Sequence, residues 1–499
     1  MRRTQRAKRE AGALSTLPFT PVRNPYRPVE VLSADQVEHI HTSALRLLAT
    51  TGMRILDDSA RARFAAAGCS VDGMMVRFER EVVEHALTSC PSVFTLEARN
   101  PAHTLTIGGD HVVFGSVGGP AFVHDLDRGR RAGTDAEQID YLRLVQALGV
   151  LHQEGGGPFE ALDLPAATRH LDFYLNAIRC LDKNWQAIPL GRQRAADAVD
   201  MAAISLGTDR DGLLSRPTLL AIINTNTPLT LDAPMAEGLT ELASAGQAIC
   251  ITPFTLAGAM APATLAGALT LQHAEVLAVT VLVQQVRAGA PVLYGSFTSN
   301  VDMRSGSPAF GTPEYSKAAQ ASGQLARRVG LPLRSSNVTA SNAVDAQSTY
   351  ESAMSVWGAL LGGANLINHA AGWLEGGLTA SFEKLVVDAE MLQMFVEYFR
   401  PIEVTDDTIA LDAIAEVGPG GHFFGSAHTI ERYETAFYSP LVSDWRNFET
   451  WRDAGSIDTT QRANALWKQI LERSEAPYLD PAIDEALVDF VERRKRELA

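Results

Sequence analysis

The sequence predicts an α/β fold: a TIM (β/α)8 barrel with an N-terminal helical extension and a C-terminal helical wrap. Short apolar runs alternate with longer amphipathic segments, each long enough to form a helix. The runs are continuously apolar, which indicates strands buried on both faces of a parallel sheet. Eight β/α units over about 260 residues match the size of such a barrel, and a doubly wound sheet is the alternative. The candidate strands are 111–117, 149–153, 185–190, 218–224, 247–253, 291–297, 332–337 and 364–369.

Changes of composition divide the chain into four segments. The first is a basic stretch predicted to be disordered, because short charge runs are usually solvated. The second is predicted to be mainly helical, with N-caps at Ser33 and Asp35, and the third is the barrel. The fourth is a helical extension in which Asp480 caps the last helix, and it contains the glycine-rich segment 417–429, whose backbone can turn tightly. In order, the segments are 1–28, 29–105, 106–400 and 401–499.

The composition is that of a well-buried globule, with 499 residues of which 46% are hydrophobic and 20% charged. A formal net charge of −15 argues against nucleic acid or an anionic membrane as the main partner. The basic start lacks the apolar core of a signal peptide, and no apolar run reaches the roughly 18 residues of a membrane span. The four cysteines lack the C-x-x-C pattern of a metal or redox site, so reduced thiols and a cytoplasmic location are expected.

The predicted strand ends hold the candidate site residues, because barrels of this kind build active sites from the carboxyl ends of their strands. Aromatic side chains are frequent there. Aromatic rings attract quaternary ammonium groups through their quadrupole, although such rings can also simply cap the barrel core. The catalytic candidates are His369, Asn368 and Glu154. The substrate-binding candidates are Arg334, Tyr294, Phe297, Phe159, Trp373, Asn337, Asp345 and Gln347.

Several other chemistries lack the residues they need. A carboxylate metal site requires about three acids at successive strand ends, and only the isolated Glu154 and Glu375 occur there, so no metal is predicted. The glycine run 155–157 has no Lys, Ser or Thr to complete a phosphate cradle. A G-x-S-x-G nucleophile elbow is also missing from the sequence.

Five motifs carry a resemblance to a known family. They are DLDRGRRAGT at 125–134, DAQ at 345–347 with Glu351, GANLINHAAG at 363–372, VGPGGHF at 417–423 and LDPAIDE at 479–485. Over residues 30 to 499 the chain resembles the trimethylamine methyltransferase family, in the branch without pyrrolysine that includes glycine betaine methyltransferases. The resemblance implies a TIM barrel that moves a methyl group from a methylated amine to Co(I) of cobalamin on a separate corrinoid protein.

The resemblance also implies a substrate class and a partner. A quaternary, betaine-type amine is a better expectation than a tertiary methylamine, because the founding trimethylamine enzymes carry pyrrolysine and this chain does not. Arg334 is the natural partner of a betaine carboxylate, with Asn368 and His369 as further candidates. The chain lacks the Asp-x-His-x-x-Gly corrinoid signature, so the corrinoid protein partner is expected to present the cobalamin, with no cofactor bound tightly here.

A homo-oligomer is expected for a large acidic barrel of this kind. Two alternatives stay open. One is a barrel lyase or isomerase that uses His369 with Glu154 or Glu375 as acid and base. The other is a non-catalytic protein that binds quaternary amines.

Overall fold

The computed structural model describes residues 16–498. Residues 1–15, which hold most of the predicted disordered basic tail, lie outside the described residues. The rest of that predicted tail, 16–28, packs against the protein. Val22 is buried there and pairs with Val112 in antiparallel register, so burial of an apolar side chain orders this part of the chain.

The N-terminal region contains the predicted helices and, in addition, several short strands. Ser33 and Gln36 form a capping box that starts the first helix. An Asp72-Gly73 turn joins two three-residue strands into a hairpin. Asp-Gly is a common hairpin-turn sequence, although it lies within a region predicted to be mainly helical. In chain order the elements are β1 (Val22–Arg23), α1 (Ala34–Thr50), β2 (Met53–Ile55), α2 (Asp58–Ala66), β3 (Ser70–Asp72), β4 (Met75–Arg77), α3 (Arg80–Thr88), β5 (Val93–Leu96), a 3-10 turn (Pro101–His103) and β6 (Leu105–Gly108).

The central region alternates strands and helices as predicted, with extra short strands in the loops. Its first half contains β7 (His111–Ser116), β8 (Phe122–Asp125), β9 (Gly129–Ala132), α4 (Asp135–Ala147), α5 (Arg169–Cys180), α6 (Arg192–Ser205), α7 (Arg210–Leu213), β10 (Leu220–Ile223), β11 (Thr230–Leu231), α8 (Ala233–Ser244), β12 (Ala248–Ile251) and β13 (Thr255–Ala257). Its second half contains α9 (Leu265–Val286), β14 (Val292–Gly295), β15 (Thr298–Val301), β16 (Pro308–Ala309), α10 (Pro313–Arg328), β17 (Leu333–Ser336), α11 (Ala346–Gly362), β18 (Leu366–Ala371), β19 (Trp373–Leu374), a 3-10 turn (Glu375–Gly377), β20 (Thr379–Ser381) and α12 (Phe382–Tyr398).

The main sheet is curled and mainly parallel, with the strand order β1-β7-β18-β17-β14-β12-β10. Only β1 runs antiparallel to its neighbour. Six of the eight predicted strands are present as strands of this sheet: β7, β10, β12, β14, β17 and β18. The other two, 149–153 and 185–190, contribute isolated parallel bridges, in which Gln153 pairs with Gly115 and Asn184 while Gln186 pairs with Leu220. The chain is therefore a mixed α/β protein around a curled parallel sheet.

Side chains on one side of this sheet, called the inner face below, form an apolar cluster that is separate from the main core. Register partners such as Val113 with Leu366, and Cys250 with Leu293, contribute to it. The hairpin β5–β6 covers the cluster with Leu96 and other apolar side chains. The far larger second core lies between the sheet and its helices. Any cavity on the inner face therefore lies beyond the apolar cluster, toward the carboxyl ends of the strands.

Helix α9 is the central helix of that larger core. It is 22 residues long and apolar enough to cross a membrane by length and composition, contrary to the expectation that no such run exists. However, 83% of its apolar window is buried inside the protein, where α9 packs against α1 and α3. Its composition therefore reflects packing on all sides within the fold.

The C-terminal region contains helices of 4 to 18 residues. Its last two helices pack on the central region, the first of them against α12 and α4 and the second against α5 and α6. The elements are α13 (Asp406–Ile409), α14 (Leu411–Val417), α15 (Ala427–Ile430), α16 (Phe448–Asp453), α17 (Thr459–Arg473) and α18 (Pro481–Leu498).

Candidate active site

Arg334 lies at the centre of the candidate site. It is on β17, in register with Gly295 of β14 and Leu366 of β18, and only 1% of its surface is exposed. Its Nε and Nη1 atoms are buried without a hydrogen-bond partner, and no carboxylate of the described residues lies within ion-pair distance of its guanidinium. Burial lowers the pKa of Arg334 from its ordinary value. A buried cation without an anion is costly, so this side chain is suited to receive an anionic ligand.

Further polar atoms without partners lie on the same inner face. Asn368 is the register partner of Ser336, and its Nδ2 atom and the Ser336 hydroxyl are both buried and unpaired. Both amide atoms of Gln153 are also unpaired, although the residue is fully buried. Gln186 donates to Asn368 Oδ1 at 3.1 Å and fixes that amide. Buried polar groups are normally satisfied, so these unpaired atoms beside Arg334 mark the strand ends as a candidate polar site.

An aromatic cluster adjoins the guanidinium. The Arg334 guanidinium carbon is 5.3 Å from the centre of the Phe297 ring. Phe297 contacts Phe254, Phe310 and Trp373, with ring centroids 5.3, 5.7 and 6.1 Å apart. All four rings follow the carboxyl ends of strands β12, β14 and β18 or lie in the loops after them. A small molecule could therefore hold a cationic or methylated group against these rings while its other end reaches Arg334.

His369 connects the aromatic cluster to the sheet. It has a positive φ of 53°, at the point where the register of β18 shifts, and its half-buried ring lies 4.6 Å from Trp373. Its Nδ1 accepts a hydrogen bond from the Gly118 backbone at 3.2 Å, so a neutral ring carries its proton on Nε2. Burial, and then the nearby Arg334 cation, hold the pKa of His369 well below its ordinary value. The ring is therefore a neutral hydrogen-bond donor at pH 7.

A buried ion pair on α12 supports the irregular end of β18. Asp388 Oδ2 accepts a hydrogen bond from the Gly372 backbone at 2.9 Å, and its other oxygen contacts Lys384. Gly372 has φ of 103°, and a Cβ there would lie 2.0 Å from the Tyr141 hydroxyl, so only glycine fits. Asn337, predicted to bind substrate, instead donates to the Ala370 carbonyl at 2.9 Å and supports the same turn. These contacts hold the backbone between His369 and Trp373.

Tyr294 and Phe159, both predicted to bind substrate, lie away from Arg334. The Tyr294 hydroxyl is 3.0 Å from Nδ1 of His273 on α9, so this ring points into the helix layer. Strand alternation explains the difference, since Gly295 and not Tyr294 is the register partner of Arg334. Phe159 is buried with its ring 5.8 Å from that of Tyr141 on α4. Both rings pack within the core.

Glu154, predicted as catalytic, organises a loop. Its carboxylate is fully buried and accepts hydrogen bonds from the backbones of Gly156 at 2.8 Å, Gly157 at 2.6 Å and Gln186 at 3.3 Å. Burial raises the pKa of Glu154 to about 7, although these backbone donors favour the charged form. With its oxygens occupied in this way, the carboxylate positions the glycine loop between two of the predicted strands.

The motif that starts α11 also has a structural role. Asp345 is exposed and caps α11 through the backbone of Ser348 at 3.0 Å. Gln347 donates to Glu351 Oε1 at 2.9 Å, and Glu351 in turn accepts from the Ala340 backbone at 2.9 Å. Neither Asp345 nor Gln347 is brought to the guanidinium. The motif shapes the loop between β17 and α11.

Several residues of the site or its support were absent from the predicted set, among them Gln153, Gln186, Phe310 and Asp388. Gln186 interrupts a mainly apolar predicted strand and Gln153 ends another, and a polar side chain at such a place is the signal that could have identified them. Phe310 lies in a loop whose sequence gives no such signal. Asp388 follows Lys384 by four residues, a spacing that on its own indicates a solvent-exposed helix pair.

The guanidinium, the unpaired polar atoms and the aromatic cluster thus lie together at the carboxyl ends of the strands on the inner face. Within residues 16–498, no group of three or more His, Cys, Asp or Glu side chains is arranged to hold a metal ion.

Comparison with known proteins gives the family. A family model described as trimethylamine methyltransferase (MTTB) matches residues 1–499. Glycine betaine methyltransferase of Desulfitobacterium hafniense (strain Y51) is 40% identical over 469 residues, which is 94% of this chain and 98% of that protein. Trimethylamine methyltransferase MttB of D. hafniense (strain DSM 10664 / DCB-2) is 31% identical over 476 residues, or 93% and 94% of the two chains. The chain belongs to the trimethylamine methyltransferase family and is a methyltransferase.

Two more distant similarities were also found. MttB2 of Methanosarcina mazei is 26% identical over 486 residues, 94% of this chain and 96% of that one. Among solved structures, monomethylamine methyltransferase of Methanosarcina barkeri aligns with 89% of this chain and 94% of its own, at 11% identity and a TM-score of 0.46.

Proposed function

We propose that this enzyme transfers a methyl group from a quaternary amine that carries a carboxylate, a betaine, to the Co(I) corrinoid of a separate protein. The observation that carries the proposal is Arg334, a buried guanidinium without an anion, beside the ring of Phe297. A betaine supplies both missing partners, a carboxylate for the guanidinium and a trimethylammonium group for the aromatic cluster. The 40% identical relative is named glycine betaine methyltransferase, which supports the same substrate.

The proposed reaction needs little acid–base catalysis by the protein. A quaternary nitrogen has no lone pair and is already a leaving group, so breaking its bond to a methyl carbon releases a neutral tertiary amine. Co(I) on the partner would supply the nucleophile that accepts the methyl group. Arg334 would hold the carboxylate, while Phe297 and Trp373 hold the methylated nitrogen and keep water away. His369, as a neutral Nε2 donor, would orient the bound carboxylate.

We also propose that the sheet closes into a barrel and that the carboxyl ends of its strands face the corrinoid protein. The bridges at Gln153, Asn184 and Gln186 support closure, because they fill the gap between β7 and β10. Beside His369 the backbones of Gly118 and Gly155 pack directly on each other, since a Cβ on Gly118 would meet the Gly155 carbonyl at 2.0 Å. We include a cytoplasmic location, which the four unbridged cysteines support.

The lyase or isomerase alternative receives less support from the site. It needs a carboxyl group free to act beside His369. Glu154 is bound to backbone amides, and Glu375 pairs with Arg130 at 2.6 Å and with Thr379 at 2.5 Å. A non-catalytic amine binder is disfavoured by the membership of a methyltransferase family.

The test is a substrate panel with a reduced corrinoid protein, monitored by loss of the Co(I) absorption. Glycine betaine, tetramethylammonium and trimethylamine are compared at equal concentration, with a corrinoid protein shown to be competent with another methyltransferase. The proposal is supported if glycine betaine is turned over much faster than tetramethylammonium, which has a methyl group in place of the carboxymethyl group. Preference for trimethylamine, or no transfer from any of the three, overturns it.

A further inference from the structure

The motif at 125–134 forms the hairpin β8–β9, to which the proposed reaction gives no role. The hairpin belongs to a four-stranded sheet of order β19-β20-β8-β9, separate from the main sheet. In this small sheet Trp373 of β19 pairs with Ala380 of β20. Thr379 of β20 pairs in turn with Phe122 of β8. The backbone of Trp373, whose ring belongs to the aromatic cluster, is therefore joined to the hairpin through a single strand.

Two of the three arginines of the motif stabilise the hairpin itself. Asp125 is fully buried, and its Oδ2 accepts hydrogen bonds from Arg128 Nε at 2.9 Å and from Arg131 Nη2 at 2.6 Å. Arg131 also donates to Glu137, in the first turn of α4, at 2.9 Å. A buried carboxylate held by two charged donors resists rearrangement, because loss of either donor would leave a buried charge poorly compensated. The hairpin is therefore a firm support for β20.

Arg130, the third arginine, binds the loop that follows Trp373. Its Nε and Nη2 atoms donate to the two carboxylate oxygens of Glu375 at 2.6 and 3.0 Å, which makes a bidentate pair. The guanidinium carbon lies 3.6 Å from the centre of the Phe122 ring, and this stacking fixes the plane of the guanidinium. Burial alone would raise the pKa of Glu375, but hydrogen bonds from Arg130 and Thr379 lower it below its ordinary value, so the carboxylate is charged at pH 7.

The loop that Arg130 binds has an unusual backbone. Glu375 has a positive φ of 54°, which residues other than glycine seldom adopt, and Gly376 and Gly377 follow with φ of 61° and 98°. The Trp373 ring lies directly on Gly377, where a Cβ would be 2.4 Å from the ring atom Cζ2. A non-glycine residue keeps such a conformation only where neighbouring contacts hold it. The pair with Arg130 supplies such a contact at the one non-glycine residue of the three.

We propose that Arg130 is a positioning residue for methyl transfer, which acts through Glu375 to hold the Trp373 ring against the methylated end of the substrate. This role rests on the proposed function, in which that ring binds the trimethylammonium group. Asp388 holds the same turn on the other side of the ring, through Gly372. A displacement of about 1 Å at a reacting group can cost about 100-fold in rate. Support at both ends of the turn therefore affects kcat more than KM.

The first test is a double-mutant cycle on kcat, with glycine betaine and a competent corrinoid protein. Arg130→Met should lower kcat about 10-fold to 100-fold and change KM by less than about 3-fold. In a Trp373→Leu background the same substitution should lower kcat by less than about 3-fold, because the ring through which Arg130 acts is gone. Glu375→Gln, which breaks the pair from its other side, should show the same dependence on Trp373.

The matched control is Arg216→Met. The side chains of Arg130 and Arg216 are both 44% exposed, and Arg216 pairs with Glu97 at 2.8 Å. An exposed ion pair contributes little to stability, so both arginine variants should fold. Arg216→Met should leave kcat and KM unchanged.

The second test needs no methyl transfer. The Trp373 side chain is 7% exposed, so acrylamide should quench its emission poorly in the wild-type chain. Subtracting the emission of a Trp373→Phe chain removes the contribution of the other tryptophans. Arg130→Met should raise the quenching constant of Trp373 at least about 2-fold, since the loop that covers the ring would open locally. Arg216→Met should leave it unchanged.

The two measurements separate the possible failures. Unchanged quenching in Arg130→Met shows that Arg130 does not hold the ring, and it overturns the inference whether or not glycine betaine is turned over. A loss of kcat that persists undiminished in the Trp373→Leu background assigns Arg130 a general structural role and also overturns it. If the wild-type chain transfers no methyl group from glycine betaine while Arg130→Met still raises the quenching, the proposed function is overturned and the positioning of the ring stands.

Discussion

Replacement of Arg334 by methionine should make the protein more stable and less active at once. The guanidinium is 1% exposed and its Nε and Nη1 atoms have no partners. An unsatisfied buried polar atom costs about 1–3 kcal/mol, so removing two of them gains roughly 2–6 kcal/mol. Loss of the contact with Phe297 offsets roughly 1–2 kcal/mol of this gain. From the middle of each range, we expect R334M to raise the free energy of unfolding by roughly 2–3 kcal/mol.

The same substitution should remove activity toward a carboxylate-bearing substrate. Truncating one partner of a buried charge pair costs about 2–5 kcal/mol, because the other charge is left without a partner. That corresponds to a loss of roughly 30-fold to 4,000-fold in kcat/KM for glycine betaine. Tetramethylammonium has no carboxylate, so its slow turnover should change by less than about 3-fold.

The assay combines urea unfolding of the ligand-free enzyme with kinetics on both substrates. Arg328, an exposed arginine paired with Glu38 at 2.7 Å, provides the control. R328M should alter the free energy of unfolding by no more than about 1 kcal/mol and leave both activities intact, as expected of a surface pair. The reasoning is refuted if R334M is destabilised by more than about 1 kcal/mol, or if both substrates lose activity equally.

Three further predictions concern the residues around the guanidinium. Asp388→Asn should lower kcat about 10-fold to 100-fold with little change in KM, by loosening the Gly372 turn that positions His369. The pKa of His369 is lowered, so the unfolded chain protonates first and the free energy of unfolding should fall as pH drops below about 6.5; a His369→Gln variant should show a weaker dependence. Phe297→Leu should raise KM for glycine betaine about 10-fold. The control is Phe159→Leu, at a ring buried away from the site, which should lower the free energy of unfolding by about 1–2 kcal/mol and leave KM unchanged.

Each of these predictions has a result that would contradict it. Equal melting temperatures with unchanged kcat in Asp388→Asn would show that the buried pair does not position the site. A pH dependence of unfolding that survives in His369→Gln would assign it to another group. If Phe159→Leu raised KM as much as Phe297→Leu, the aromatic cluster would not be the place where the methylated group binds.

The order of the strands was predictable, because their apolar runs are long and continuous. Two of the runs, one ending in Gln153 and one containing Gln186, form only isolated bridges, which their apolar character did not indicate. The same apolar continuity hid which side chains face inward. Both faces of a buried parallel strand are apolar, so the pattern does not distinguish the outward Tyr294 from Gly295, the register partner of the inward Arg334 on the neighbouring strand.

Residues at strand ends with unusual chemistry were easier to identify. Arg334 and His369 stood out because a charge or an imidazole within an apolar run must have a reason. Long-range partners were not predictable: Phe310 reaches the aromatic cluster across a loop, and Asp388 reaches Gly372 from a helix. Asp345 and Gln347 belong to a recognisable motif and were predicted to bind substrate, but in the structure they form a helix cap and a loop contact.

The unpaired guanidinium also accounts for how the proposed enzyme would distinguish its substrates. A substrate without a carboxylate would leave Arg334 buried and uncompensated, with the polar atoms of Gln153 and Asn368 still unpaired. Such a substrate would leave these groups as unsatisfied as they are in the ligand-free enzyme, so its binding would not offset their cost. A betaine would supply the missing anion and hydrogen bonds as it binds. Selectivity for a betaine over trimethylamine would then arise because one substrate relieves this cost and the other does not.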